Sequence, residues 1–221
     1  MVGPGCKEPY YPGSPRRVQT KRMNDPTKLP ASLQLTAPGL QLCLWQPSHA
    51  DALYEAAHES IATVGRWLPW CHAGYQREDA VSWIERCRSG SEGGEPWAFG
   101  VFDDHGMLLG GVGLNRFDHQ HRSANLGYWV RTQAQGRGMA ARATRRLAAF
   151  GFDTLGLCRI EIVAAVENLA SRRCAEKAGA RFEGIARHRL MIDGEPVDAA
   201  VYGLLPTDLD QPAEAQSSAM S

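Results

Sequence analysis

Hydrophobic positions recur every second residue in some stretches of this chain and every three to four residues in others, and the switch between the two periods divides it into elements. Leu40, Leu42 and Leu44 alternate with Gln41 and Cys43, the pattern of a first strand. Pro47 and Ser48 then open a helix over about 49–59, with Asp51 suited to its first turn. A second helix is expected over about 78–88, with Val81, Trp83, Ile84 and Cys87 on its inner side. Trp97, Phe99 and Val101 alternate toward the turn at Asp103 and Gly106, and residues 108–114 return as the partner strand of a hairpin. After a polar turn at 118–122, residues 124–130 make a third antiparallel neighbour.

Past Gly138 the period changes. Ala140, Ala143, Leu147 and Phe150 fall on one helical face, Arg142, Arg145 and Arg146 fall elsewhere, and the helix ends near Gly156. Residues 159–166 are apolar and β-branched enough for a buried strand, which the intervening helix makes parallel to its predecessor. Glu167 and Asn168 cap a further helix ending at Gly179, and residues 182–191 and 197–205 close the pattern as a hairpin turning at Asp193 and Gly194. The sum is an α/β (α+β) fold: a mixed, mostly antiparallel sheet of about seven strands with about four helices and one central parallel pair. There is no internal repeat.

Residues 63–70 keep no period. Trp67, Leu68 and Trp70 around Pro69 form either a buried corner or one wall of an acceptor cleft. Residues 1–35, rich in Pro, Gly and basic side chains, are expected to be a disordered extension, and 206–221 a loose acidic tail, leaving 36–205 as one domain. Met23 is a plausible alternative start, with the first 22 residues then an upstream extension. They carry five basic residues against Glu8, net +4; the remainder holds 19 basic and 23 acidic residues of the 24 and 24 in the whole. The early residues are a basic arm or a solvated tail, and the folded part carries no basic footprint for nucleic acid.

With 221 residues, 43% hydrophobic and 22% charged, the composition is that of an ordinary globular protein. No window reaches the roughly 18–20 apolar residues of a membrane span and no signal-peptide core opens the chain, so a cytoplasmic protein is expected. Six cysteines without a C-x-x-C pair signal reduced thiols and no metal site.

Candidate chemistry concentrates where strand 124–130 meets the next helix. Gln133, Gly136 and Gly138 form a Q-x-x-G-x-G loop at a helix start, where about four backbone N–H groups lack intrahelical partners and roughly half a positive charge accumulates. That is a pyrophosphate cradle. A dinucleotide or P-loop site does not fit, because the loop follows antiparallel strands and lacks Gly-Lys-Ser/Thr.

The ordered set Leu126-Gly-Tyr-Trp-Val130, Gln133-Ala-Gln-Gly-Arg-Gly138, Arg159-Ile-Glu-Ile162, Asn168-Leu-Ala-Ser171, Lys177-Ala-Gly179, Phe182-Glu-Gly184 and Asp198 to Tyr202 resembles the GCN5-related N-acetyltransferase (GNAT) superfamily. Within it the chain is most similar to the RimJ/RimL type, whose members acetylate the N-terminal amines of ribosomal proteins, over roughly residues 36–205. The resemblance implies acetyl-CoA as cosubstrate and no metal. It implies that the backbone of Tyr128, Trp129 and Val130 holds the pantetheine arm. N–H groups across Gln135, Gly136, Arg137, Gly138, Met139 and Ala140 would hold the pyrophosphate. Asn168 and Ser171 would lie by the pantetheine and thiol, with Ser171 the proton donor to the departing thiolate; without the resemblance, Asn168 is an N-cap and Ser171 a helical serine.

The general base is harder to place. Many members of the family carry an acid where this chain has Asn125, and Leu190 offers none in the sixth strand. Glu161 is left as the nearest candidate base, or else as a salt-bridged surface carboxylate; His119 and His121 belong to a solvated turn. Tyr202 either lines the acceptor cleft or packs. An α-amine has a pKa of about 7.7–8.0 and costs under about 1.5 kcal/mol to deprotonate at neutral pH, whereas a lysine at about 10.4 costs roughly 4–5 kcal/mol. A protein N-terminus is therefore the acceptor expected first, with a small-molecule amine as the alternative and a non-catalytic acyl-CoA-binding module as a second. Either a monomer or a homodimer, without membrane contact, would suit these readings.

Overall fold

The computed structural model describes residues 32–92 and 97–210, with the side chains of 90–92 outside the description. In chain order it contains β1 (Gln34–Ala37), β2 (Leu40–Leu44), α1 (Ala50–Glu59), α2 (Arg77–Glu92), β3 (Trp97–Phe102), β4 (Leu108–Asp118) and β5 (Ser123–Val130). There follow α3 (Met139–Asp153), β6 (Arg159–Ala165), α4 (Leu169–Lys177), β7 (Arg181–Ile192), β8 (Glu195–Leu204) and a last turn of helix, α5 (Pro206–Leu209). One eight-stranded sheet runs β1-β2-β3-β4-β5-β6-β8-β7, antiparallel throughout except for the parallel β5–β6 pair.

β2 buries one residue in two, whereas at the sheet centre both faces are covered. On one face α3 sets Ala143, Leu147 and Phe150 against Leu42, Phe99, Leu114, Leu126, Ile160 and Ile162. On the other, Leu53 and Ala57 of α1 and Ile84 and Cys87 of α2 pack with Trp45, Ala98 and Phe102. β3 lies between the two layers and is buried at all six positions. Each fully buried large apolar side chain contributes about 1.5–3 kcal/mol relative to exposure.

Three expectations change. The sheet has eight strands, because Pro38 and Gly39, at φ +65°, turn a short β1 back onto β2 with Ala37 opposite Leu40. Leu35, 3% exposed, is the one fully buried residue of β1, too little for a visible period. Order also extends past 205: Asp208 is 2% exposed, pairs with Arg181 at 3.0 Å and accepts the Leu205 N–H at 2.9 Å. An acid expected in a tail is thus a cap, and the ordered unit overruns 36–205 at both edges. The remaining terminal expectations, for 1–31 and 211–221, lie outside the described residues. Trp83, expected inward, is 38% exposed on α2.

The site depends on how β5 ends. β5 pairs with β6 only at Ser123, Ala124 and Asn125, opposite Arg159, Ile160 and Glu161. Beyond them β5 stays with β4 as far as Val130, while β6 stays with β8 as far as Ala165. The two parallel strands therefore part into a V in the middle of the sheet.

Candidate active site

A cleft of about 1150 Å³ fills the V and continues to both sides of it. At one end stands the loop 133–138. Gly136 and Gly138 sit at φ +77° and +70°, a region that favours glycine, and a Cβ on either would meet nothing within 4 Å. The backbone therefore turns left-handed twice at the edge of open space. Gly138 is the N-cap of α3, without a side-chain cap and without an acid in the first turn, so the helix's positive end is not neutralised locally. Arg137 belongs to the loop itself, Arg66, Arg173 and Lys177 line the cleft elsewhere, and no Asp or Glu lines it among the described residues. This end is built to hold a multiply charged anion.

The loop is braced from behind by the C-terminal end of α1. Glu59 accepts the Gln133 N–H at 2.7 Å and pairs with Arg131, while Gln135 donates its side-chain amide to the Val130 carbonyl at 3.1 Å. Sequence reasoning missed Glu59. A signal existed: an acid on the last turn of a helix opposes the helix dipole and calls for a partner elsewhere.

Across the V, Asn168 caps α4 as expected, its Oδ1 accepting the Ser171 N–H at 3.1 Å. Ser171 faces the cleft with its Oγ 3.2 Å from the Tyr128 hydroxyl, which donates to the Ser171 carbonyl at 2.8 Å. Since that phenol has one proton, its oxygen receives the Ser171 hydroxyl. Burial pushes the Tyr128 phenol well above its usual pKa, and burial likewise lifts the neighbouring Cys174 thiol to about 11. Tyr128 and Cys174 are therefore neutral at physiological pH.

The other end is aromatic. Trp67 and Trp70 line it, Trp70 standing edge-on to Trp129 at 5.4 Å and to Tyr75 at 5.7 Å, so the corner and the cleft wall are one structure. Arg66 lies over the Trp67 ring at 4.7 Å. Gly111 makes room for the Trp129 indole, whose Nε1 would stand 2.5 Å from a Cβ there.

The remaining candidates fall outside the cleft. Glu161 pairs with Arg159 at 3.2 Å within an Arg159–Glu183 network, because odd-numbered β6 residues here face the surface row of ion pairs. Asn125 donates to Asn115 Oδ1 at 3.0 Å, and of that amide pair Asn115 reaches the cleft. Tyr202 is fully buried, donating to Glu176 at 3.0 Å and accepting from Arg172 at 3.2 Å, so it packs. His119 stacks on Phe117.

Residues 40–181 match the family model described as the Acetyltransferase (GNAT) domain. YdaF of Bacillus subtilis (strain 168), named as a ribosomal N-acetyltransferase, is 32% identical over 166 residues, 73% of this chain and 88% of that one. A Vibrio cholerae structure described as a ribosomal-protein-serine acetyltransferase has a TM-score of 0.73 and 32% identity, covering 80% of this chain and 100% of its own. RimJ of Mycobacterium smegmatis, in complex with CoA-disulfide, has a TM-score of 0.71 and 26% identity, over 82% of this chain and 90% of its own. The matched residues 40–181 include β5, the glycine loop and the Asn168-capped helix, and the chain belongs to the GNAT family of N-acetyltransferases.

Proposed function

We propose that the chain transfers the acetyl group of acetyl-CoA directly to the N-terminal α-amine of a protein, with ribosomal proteins, the class in its relatives' names, as the targets. The observation that carries the acceptor half is the make-up of the cleft: open, aromatic at the acceptor end, and lined by four cations and no carboxylate among the described residues. An α-amine, about half or slightly more deprotonated one pH unit above neutrality, can shed its proton to water, whereas a lysine needs a base. A polyamine would also meet those cations without a counter-charge.

In this mechanism the N–H groups across 135–140 hold the pyrophosphate and the free edge of β5 at Tyr128, Trp129 and Val130 aligns the pantetheine. Trp67 and Trp70 enclose the arriving chain end. As the amine nitrogen bonds to the acetyl carbon and the C–S bond breaks, the Ser171 hydroxyl turns from Tyr128 Oη to the sulfur, gives up its proton there and takes one back from solvent, leaving the serine neutral. The proton released by the amine goes to solvent. Among the described residues no helix is long and apolar enough to cross a membrane, and a cytoplasmic site of action is part of the proposal.

Thiol release from acetyl-CoA with a panel of amines tests it. Turnover is expected with peptides bearing free Ala or Ser N-termini; turnover confined to small amines would overturn the acceptor half.

A further inference from the structure

Eight hydrogen-bonding contacts tie α1 and the residues just after it to the loop segment 131–135, among them a short one from Arg131 Nη2 to Glu59 Oε2. Glu59 Oε1 accepts the Gln133 N–H at 2.7 Å, and Oε2 accepts Gln133 Nε2 and Arg131 Nε, both at 3.0 Å. Ser60 Oγ accepts the Thr132 N–H at 3.1 Å, and the Glu59 carbonyl accepts the Thr132 hydroxyl at 3.1 Å. Thr63 Oγ1 lies 2.9 Å from Thr132 Oγ1 and accepts from Gln135 Nε2 at 3.2 Å. Arg131 also donates to the Leu108 carbonyl at 3.1 Å, and its side chain is 11% exposed. Glu59 and Arg131 are not among the residues lining the cleft.

This arrangement sets a carboxylate directly behind a loop whose front holds an anion. Alone, that partly exposed charge would repel a pyrophosphate in front of the loop, because like charges near a protein surface interact at an effective dielectric of about 20 rather than that of bulk water. Burial raises the Glu59 pKa, yet the bonds from Arg131 and Gln133 outweigh it and hold the carboxyl below its usual range, so it is charged. Arg131 cancels that charge in place.

We propose that Glu59 and Arg131 are a charge-neutral positioning pair that sets acetyl-CoA affinity without touching the ligand: Glu59 fixes the first half of the loop, and Arg131 makes its charge tolerable to the anion in front. This rests on the loop being the CoA pyrophosphate site. The pair then has a property that a packing role lacks. Removing Arg131 exposes the anion to an uncompensated carboxylate, and removing that carboxylate as well restores affinity.

The experiment is a double-mutant cycle on CoA binding by calorimetry, with acetyl-CoA KM and kcat measured on the same proteins. Arg131→Met is expected to weaken CoA by more than about tenfold, and Arg131→Met/Glu59→Gln to bind about tenfold tighter than Arg131→Met alone, within the range for coupled neighbours. The losses appear in acetyl-CoA KM, with kcat at saturation within about twofold. A double variant as weak as the product of the single losses overturns the proposal. Where Arg131→Met does not fold, Arg131→Gln is compared in the Glu59→Gln background: affinities within about threefold support the pair, and a further tenfold loss overturns it. Wild-type protein that does not bind CoA would instead remove the reading of the loop itself.

Discussion

The two ends of one cleft are built on different principles. At the loop end, backbone conformation and directional bonds specify almost everything: two left-handed glycines, a helix start without a side-chain cap and a loop braced by Glu59. At the tryptophan end, Trp67 and Trp70 offer faces and edges, and the closest specific geometry is ring against ring. Directional groups at fixed spacing bind one cosubstrate in one pose; broad apolar walls accept a class of chain ends. Family members can thus share the first end and differ in the second.

The sharpest break of this comparison is Gly138→Glu. A side chain at φ +70° is strained, and its carboxylate would enter the anion site, so CoA binding by calorimetry should fall by more than about 100-fold while the fold persists. Unchanged affinity would mean that the loop end is not the anion site. Next is Ser171→Ala, which should lower kcat by about 100-fold, the lower end for a proton donor, with CoA affinity within about threefold. A KM effect without a kcat effect would make Ser171 a binding group only. Trp70→Ala should raise the acceptor KM about five- to tenfold, the worth of one aromatic contact, and leave acetyl-CoA KM unchanged. If both rise together, the two ends are not separable. The smallest effect is expected for Glu161→Gln: kcat, its pH profile and thermal stability should hardly move, because a partly exposed ion pair contributes about 0–1 kcal/mol. A lost alkaline or acidic limb in that profile would restore Glu161 as the base.

The same contrast explains what could be read from the chain. The order of elements along the chain from β2 onward, the parallel crossover, the glycine loop and the Asn168 cap were all legible, since each demands particular residue types at particular spacings, whereas the placement of β8 between β6 and β7 was not. β1 was not, because its single buried leucine gives no period, and α5 was not, because Asp208 looks like any tail acid until Arg181 is beside it. Glu59 escaped because its partners are 72 and 74 residues away. Tyr202 and Glu161 could each be placed on a strand, but which face of the strand met the cleft depended on where β5 and β6 part.

That parting has a mechanical side. Only three residue pairs join β5 to β6, so the sheet is two half-sheets, one of five strands and one of three, meeting at a short seam. α3 leaves the first half at the seam's open mouth and delivers the chain to the second, which makes it the spine across the joint. A ligand lying in the V with strand-like backbone contacts would extend the seam from three pairs toward the full length of β5. Cosubstrate binding should then stiffen the molecule across its middle, and amide hydrogen exchange would register it as slowed exchange in β5 and β6, with β1 and β7 at the outer edges unaffected.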